Sequence, residues 1–386
     1  MKKLLLAALF AVTPALAQQA ITVGAALPET GILADLATDL RKALLLWQEE
    51  VNAAGGLLGR RVELQLLDSR SETLDSPKLY EQLIREHKVD VLIGPFGSGA
   101  TQGAAAVAER NRRVMVNATG AARTVHRKGY RYVFQTVAPL GSYGMAALEL
   151  VRAQGLKRVV LLARDDPTSR EMAAHAREEA ATLGLSAGEV AVHPADATEF
   201  NSQVALARAA GAEAWIAFGL AQDAAEIVKN FRKLRYAPRL FVAQGAADPD
   251  FIRRVGQDAE FTVGISAYER RAATRGNAQF AQAYAKKWSA EPGALAAQGY
   301  AAAKILEEAV RRAGTVEPEK LREALGALET ETPLGPYKVE LSGAQVAARP
   351  MLVQIQRGRR EIVWPEALAT AKLQPYAGWE ARQPLK

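Results

Sequence analysis

The chain contains no cysteine in its 386 residues. Disulfides, thiol catalysis and cysteine-held zinc sites are therefore excluded. A chain of this length can build its core without disulfides, so the absence is compatible with an oxidising compartment. It also removes any lipobox cysteine, and with it a lipid tether for the mature chain. Histidine is scarce. His87, His126, His175 and His193 stand far apart, none at the H-x-H or H-x-x-x-H spacing that places two imidazoles on one metal. No metal and no cofactor are expected. There is no G-x-S-x-G, hence no nucleophile elbow, and no G-x-x-x-x-G-K-[ST] phosphate loop. Long apolar runs are missing as well. The one from Leu4 to Val12 is too short to cross a bilayer as a helix.

That run belongs to a different signal. Met1-Lys2-Lys3 is a basic start, Leu4 to Val12 an apolar centre, and Ala15-Leu16-Ala17 a small-residue end before Gln18. Together they predict a cleaved secretory signal peptide over residues 1–17 and a free protein in the periplasm. Formal charge is +7, and two of those charges leave with Lys2 and Lys3. The remaining basic residues are interspersed with acids. The tightest cluster, Arg110, Arg112 and Arg113, has no aromatic beside it, which argues against nucleic acid as a partner.

Beyond the leader, strand and helix patterns alternate. Ile21 to Ala26 reads as strand. Leu36, Leu40, Leu44, Trp47 and Val51 recur at steps of three or four and predict a helix with one apolar face, stopped at Asn52-Ala53-Ala54-Gly55-Gly56. Strands are predicted over Val62–Leu67, Val89–Ile93, Arg113–Val116, Val159–Ala163, Ala214–Phe218 and Leu240–Ala243. Helices are predicted over Leu79–His87, Ser98–Arg110, Ser169–Leu183, Phe200–Ala210 and Ala221–Leu234. Such alternation calls for parallel sheets covered by helices on both faces. The last third is mostly helical (Asn277–Trp288, Leu295–Arg312, Pro318–Leu328). Two strand-like stretches follow, Tyr337–Leu341 and Met351–Arg357, and then a proline-punctuated tail from Trp364.

One turn carries chemistry. Val89–Ile93 runs into Gly94-Pro95-Phe96-Gly97-Ser98-Gly99-Ala100-Thr101, and a helix begins there. A glycine-rich turn between strand and helix can hold a pyrophosphate, and Tyr300 with Lys304 forms a Y-x-x-x-K pair. An exported NAD-type oxidoreductase is the enzymatic alternative. However, the glycines at 97, 99 and 103 do not form G-x-G-x-x-G. The first turn of a helix also exposes amide N–H groups that accept a carboxylate as readily as a phosphate, and Ser98 and Thr101 add hydroxyls. A serine at this place caps the helix in any case, so capping and ligand contact both stand open for Ser98.

Several segments together resemble the leucine/isoleucine/valine-binding proteins. They are Leu27-Pro28-Glu29-Thr30-Gly31, Glu49–Gly56, Leu58–Leu64 with Asp68, Ile93-Gly94-Pro95, Ser98–Thr101, Tyr132–Thr136 with Pro139, and Ala297–Ala302. The resemblance covers nearly the whole mature chain. It implies an α/β fold of two Rossmann-like lobes with parallel-rich sheets, joined by a three-segment hinge that closes on a ligand. The lobes expected from it are 20–139 plus 267–333, and 140–266 plus 334–365, with a tail over 366–386. It implies a periplasmic receptor, not an enzyme, expected as a monomer, that delivers its ligand to the membrane permease of an ABC transporter. A ligand-sensing module of the same fold is the alternative.

Transferred residue by residue, the resemblance places the ligand carboxylate at Ser98, with Thr101, Ala118, Thr119 and Thr30 near it. Thr119 also reads as a turn residue whose hydroxyl is satisfied locally. On the second lobe the aromatic falls on Phe218 and the acid that would hold an ammonium falls on Gln244-Gly245, where none stands. Asp165, Asp166 or Asp248 could substitute for it. The expected ligand is an amino acid or a related carboxylate, and the missing acid favours a carboxylate without an α-amino group.

Overall fold

The computed structural model describes residues 19–382. The leader expected over residues 1–17 lies outside them. Among the described residues no helix is long and apolar enough to cross a membrane.

The first lobe begins with β1 (Ile21–Leu27), α1 (Ala34–Ala53), β2 (Val62–Asp68), α2 (Ser76–Arg85), β3 (Val91–Ile93), α3 (Ser98–Arg110), β4 (Met115–Asn117) and β5 (Val133–Gln135). The strands form one sheet in the order β2-β1-β3-β4-β5, and every pairing is parallel. The chain then enters the second lobe with α4 (Leu140–Ala153), β6 (Arg158–Arg164), α5 (Pro167–Ala180), β7 (Ser186–Ala187), β8 (Ala191–His193), α6 (Asn201–Ala209), β9 (Ala214–Phe218), α7 (Ala221–Lys233), β10 (Leu240–Ala243), α8 (Pro249–Val255) and β11 (Val263–Ser266). It returns with α9 (Asn277–Trp288), α10 (Ala294–Ala313), α11 (Pro318–Gly326) and the hairpin β12 (Thr330–Thr332) and β13 (Gly335–Tyr337). It crosses again to finish with β14 (Met351–Gln356) and β15 (Arg359–Trp364). The second sheet runs β15-β14-β11-β10-β9-β6-β7, with β8 also paired to β6. It is parallel from β11 to β7 and antiparallel at β14 and β15. The expected fold class, two parallel-rich α/β lobes joined by three crossing segments, is the one observed.

Helices of the last third complete the first lobe. Phe280, Tyr284, Ile305, Leu306 and Leu321 share one buried cluster with Val23, Leu40 and Trp47. α1 and α10 approach closely because position 299 is glycine: a Cβ there would lie 2.9 Å from the Leu40 carbonyl oxygen. Polar groups fasten the same interface. Trp47 Nε1 donates to Glu307 at 3.1 Å, and the Tyr300 hydroxyl donates to Glu50 at 2.5 Å. Lys304 holds Glu307 at 2.6 Å. Tyr300 and Lys304 are thus fasteners between helices, and nothing in their surroundings supports the dehydrogenase alternative.

Three differences from the sequence expectation have local causes. Helix α4 was not legible, because it opens Leu140-Gly141-Ser142-Tyr143-Gly144 and glycine is a poor helix former. Those glycines serve packing: a Cβ at 141 would lie 2.7 Å from the His175 ring, and one at 144 would lie 2.7 Å from the Ala176 Cβ on α5. Leu36, placed on the buried face of α1, is 54% exposed, since the first turn of that helix overhangs the strand ends. Finally, residues 334–365 were assigned to the second lobe as a block. Tyr337 and Val339 instead pack in the first lobe's core, and the Gln135 amide donates to the Gly343 carbonyl at 2.8 Å. The third crossing therefore falls nearer to β14 than the boundary at 334 implies. The tail packs on the second lobe, where Tyr376 joins the cluster of Trp215, Phe231 and Phe241.

Gly343 has φ +75, and a Cβ there would meet the Val133 carbonyl oxygen at 1.9 Å. Gly343→Ala should destabilise the protein by roughly 1–3 kcal/mol, through left-handed strain and overpacking. A urea titration of the variant beside the parent checks this.

A candidate ligand-binding cleft between the lobes

In parallel α/β sheets, ligands bind beyond the carboxyl ends of the strands. In the first lobe the loops after β3 and β4 are knotted together there. The Thr119 hydroxyl accepts from the Gly97 amide at 2.9 Å and donates to the Pro95 carbonyl at 2.8 Å. The Thr101 hydroxyl donates to the Gly97 carbonyl at 2.7 Å, and Thr101 is fully buried. Asn117 closes the following turn, accepting from the Gly120 amide at 2.7 Å and donating to its carbonyl at 2.8 Å. Two of the three threonines expected near the ligand, Thr101 and Thr119, therefore commit their hydroxyls to backbone. Ala118 is fully buried in the lobe core and presents no surface to a ligand.

Ser98 is placed differently. Its Oγ accepts from the Ala122 amide at 3.1 Å, which leaves the hydroxyl hydrogen to donate elsewhere. It makes no side-chain cap bond to its own helix. The amides of Ser98, Gly99 and Ala100 stand beside it in the first turn of α3, where an α-helix has no acceptor for them. Ser98 is partly exposed, so hydroxyl and amides form a donor cluster at the strand ends.

Thr30 lies on the same side, in the loop after β1, held by Asp68. That carboxylate accepts from the amides of Glu29 (2.8 Å), Thr30 (3.2 Å) and Arg70 (2.8 Å) and from the Thr30 hydroxyl (2.7 Å). Burial alone would raise the Asp68 pKa, but these four hydrogen bonds outweigh it and hold the group at about 2.

On the second lobe, a cavity of about 920 Å³ opens beyond β9, β10 and β11. Tyr143, Leu220, Gln244, Asp248, Ser266 and Tyr268 line it, and Glu291 to Ala294 of the first lobe close its other side. Its volume lies within the range typical of small-molecule sites. Gln244 enters this cavity as expected, and its Oε1 is buried without a hydrogen-bond partner among the described residues. Phe218 does not. It is 1% exposed and belongs to the sheet's core. Asp166 caps α5, accepting from the Ser169 amide at 2.9 Å and its hydroxyl at 2.8 Å. Asp165 pairs with Arg170 at 2.8 Å on the surface.

Sequence reasoning missed Tyr143 and Tyr268, because neither α4 nor β11 was legible as an element. Burial pushes the Tyr143 phenol up to about 12. The Tyr268 hydroxyl is buried without a partner among the described residues. Beside it in the second crossing segment, Glu269 is buried 3.6 Å from Arg360 of β15. Burial raises its pKa, and the arginine opposes that rise. At the first crossing, the Arg123 amide donates to Glu171 of α5 at 2.9 Å, bridging the lobes.

Two α/β lobes with a polar cavity where they meet are the architecture in which a solute can be enclosed. The chain belongs to the periplasmic binding protein family, whose model matches residues 20–360. It is 24% identical to "Leu/Ile/Val-binding protein homolog 8" of Brucella suis over 94% of each chain. Its fold is that of a putative branched-chain amino acid ABC transporter protein from Silicibacter pomeroyi (TM-score 0.83, 18% identity, 92% of this chain and 98% of the other). It is also that of an ABC-transporter solute-binding protein from R. palustris in complex with benzoate (TM-score 0.70, 21% identity, 94% and 99%).

The Asp68 contribution to stability follows from its depressed pKa. It is fully present above the unfolded-state value near 3.8 and is lost as pH falls through about 2. Urea midpoints measured from pH 5 to pH 2 should fall for the parent, and the fall should be shallower for Asp68→Asn.

Proposed function

We propose that this receptor takes up a small carboxylate without an α-ammonium group in the periplasm and presents it to the permease of an ABC importer. The first lobe supplies the carboxylate end, through the Ser98 hydroxyl and the amides of the first turn of α3. The second lobe carries the discriminating observation. The position expected to hold an ammonium is Gln244-Gly245, and a side chain at 245 is impossible there: its Cβ would lie 2.1 Å from the Leu220 carbonyl group.

Of the acids that line the cavity, Asp250 and Glu291 are held by arginines and Asp248 caps a helix with one of its oxygens. Asp248 caps α8 through the Asp250 amide at 2.8 Å. Asp250 pairs with Arg253 and Arg254, and Glu291 with Arg270. An ammonium enclosed there would lose its hydration with Asp248, already the cap of α8, as the one lining acid without an arginine partner. The benzoate-bound R. palustris protein supports the reading, since the same fold there holds an acid that has no ammonium. The name of the Brucella relative favours the competing reading, an ordinary branched-chain amino-acid receptor.

Matched pairs separate the two. Calorimetry with leucine against 4-methylpentanoate, and with phenylalanine against 3-phenylpropanoate, should show tighter binding of the acid lacking nitrogen. Tighter binding of the amino acid in both pairs would refute the proposal. Ser98→Ala should weaken the preferred acid roughly tenfold or more, as expected for a hydrogen bond to a charged group, and cost about 1 kcal/mol of stability from the unpaired Ala122 amide. Affinity unchanged in that variant would assign Ser98 to loop architecture alone.

A further inference from the structure

The far end of the ligand is constrained by two polar side chains that no resemblance pointed to as a pair, Tyr143 at the start of α4 and Gln244 at the end of β10. Both line the same cavity wall. The half-buried Tyr143 side chain has its phenol raised by burial and therefore neutral, and its O–H makes no hydrogen bond among the described residues. Gln244 has a buried Oε1 without a partner among the described residues, and its amide is equally uncommitted. A buried polar group without a partner costs free energy that a suitable ligand atom restores. Neither group is charged. Of the arginines on the cavity lining, Arg254 is held by Asp250, Arg270 by Glu291, and Arg360 faces Glu269 at 3.6 Å.

The complement of a phenol and a carboxamide is a neutral oxygen. A hydroxyl fits best, since it can accept from the Tyr143 O–H and donate to the Gln244 carbonyl oxygen. We infer that Tyr143 and Gln244 form a specificity subsite for a neutral hydroxyl or carbonyl oxygen at the end of the ligand remote from its carboxylate. The ligand class is then a hydroxy- or oxo-substituted monocarboxylic acid. This rests on the carboxylate reading above and narrows it.

The test compares acids that differ only at the far end: benzoate with 4-hydroxybenzoate, and hexanoate with 6-hydroxyhexanoate. Affinities are measured by calorimetry on the mature protein and on Tyr143→Phe and Gln244→Met. In the parent the hydroxylated member of at least one pair should bind roughly fivefold tighter or more, the scale of one hydrogen bond. In each variant that ratio should fall towards one, with the melting temperature of the ligand-free variant reporting whether the fold is kept. Two independent substitutions guard against one of them disturbing the lobe.

Acids that bind with the parent indifferent to the hydroxyl in both pairs, or with the ratio intact in both variants, would overturn this inference and leave the carboxylate reading standing. Binding of leucine with no acid bound at all would remove the carboxylate reading and this inference with it.

Discussion

The bond from the Gly97 amide to the Thr119 hydroxyl is the one on which the site depends. It fixes the loop after β3 against the loop after β4, and the Thr119 and Thr101 hydroxyls complete the knot on the backbone of Pro95 and Gly97. Because every member is satisfied within the knot, the loops hold their shape without a ligand. In the proposed function, the donors of Ser98 and its neighbours are the ones left to meet a ligand. A site assembled this way is organised before binding, which lowers the ordering cost of capturing a small anion.

The second lobe divides the labour differently. Its strand ends carry many polar groups, and most of the charged ones are paired with one another. Arg164 meets the buried Asp223 at 3.0 Å, and that carboxylate in turn caps the Leu220 amide at 2.7 Å. Uncharged groups are what remain for a guest. Closure of two lobes around a ligand needs a ligand that binds the closed arrangement better. Here an anion gripped by one lobe and a neutral oxygen received by the other would supply contacts that exist only when the gap is shut.

Much of the fold was legible because its signals are periodic. The alternation of Val, Ile and Leu runs with helical patterns announced parallel sheets, and the helix faces of α1, α7 and α10 could be counted from spacing alone. What escaped notice were elements whose glycines answer to distant neighbours. Gly141 and Gly144 weaken α4 locally but admit His175 and Ala176, contacts invisible along the chain. β11 holds Gly264, where a Cβ would collide with the Ala247 amide at 2.3 Å. Losing those two elements concealed Tyr143 and Tyr268, the two tyrosines on the cavity lining. The site residues divide by the same logic. Ser98 keeps a hydroxyl hydrogen to give and Gln244 lines the cavity, whereas the hydroxyls of Thr101 and Thr119 and the ring of Phe218 turn to internal partners. Residue type sets what a side chain can do, but the partners that claim it come from folding.

One contact near the first crossing bears on how the lobes move: the Arg123 amide meets Glu171 of α5. A displacement that preserves this contact pivots close to it, so the parts of the two lobes farthest from Glu171 travel the longest path.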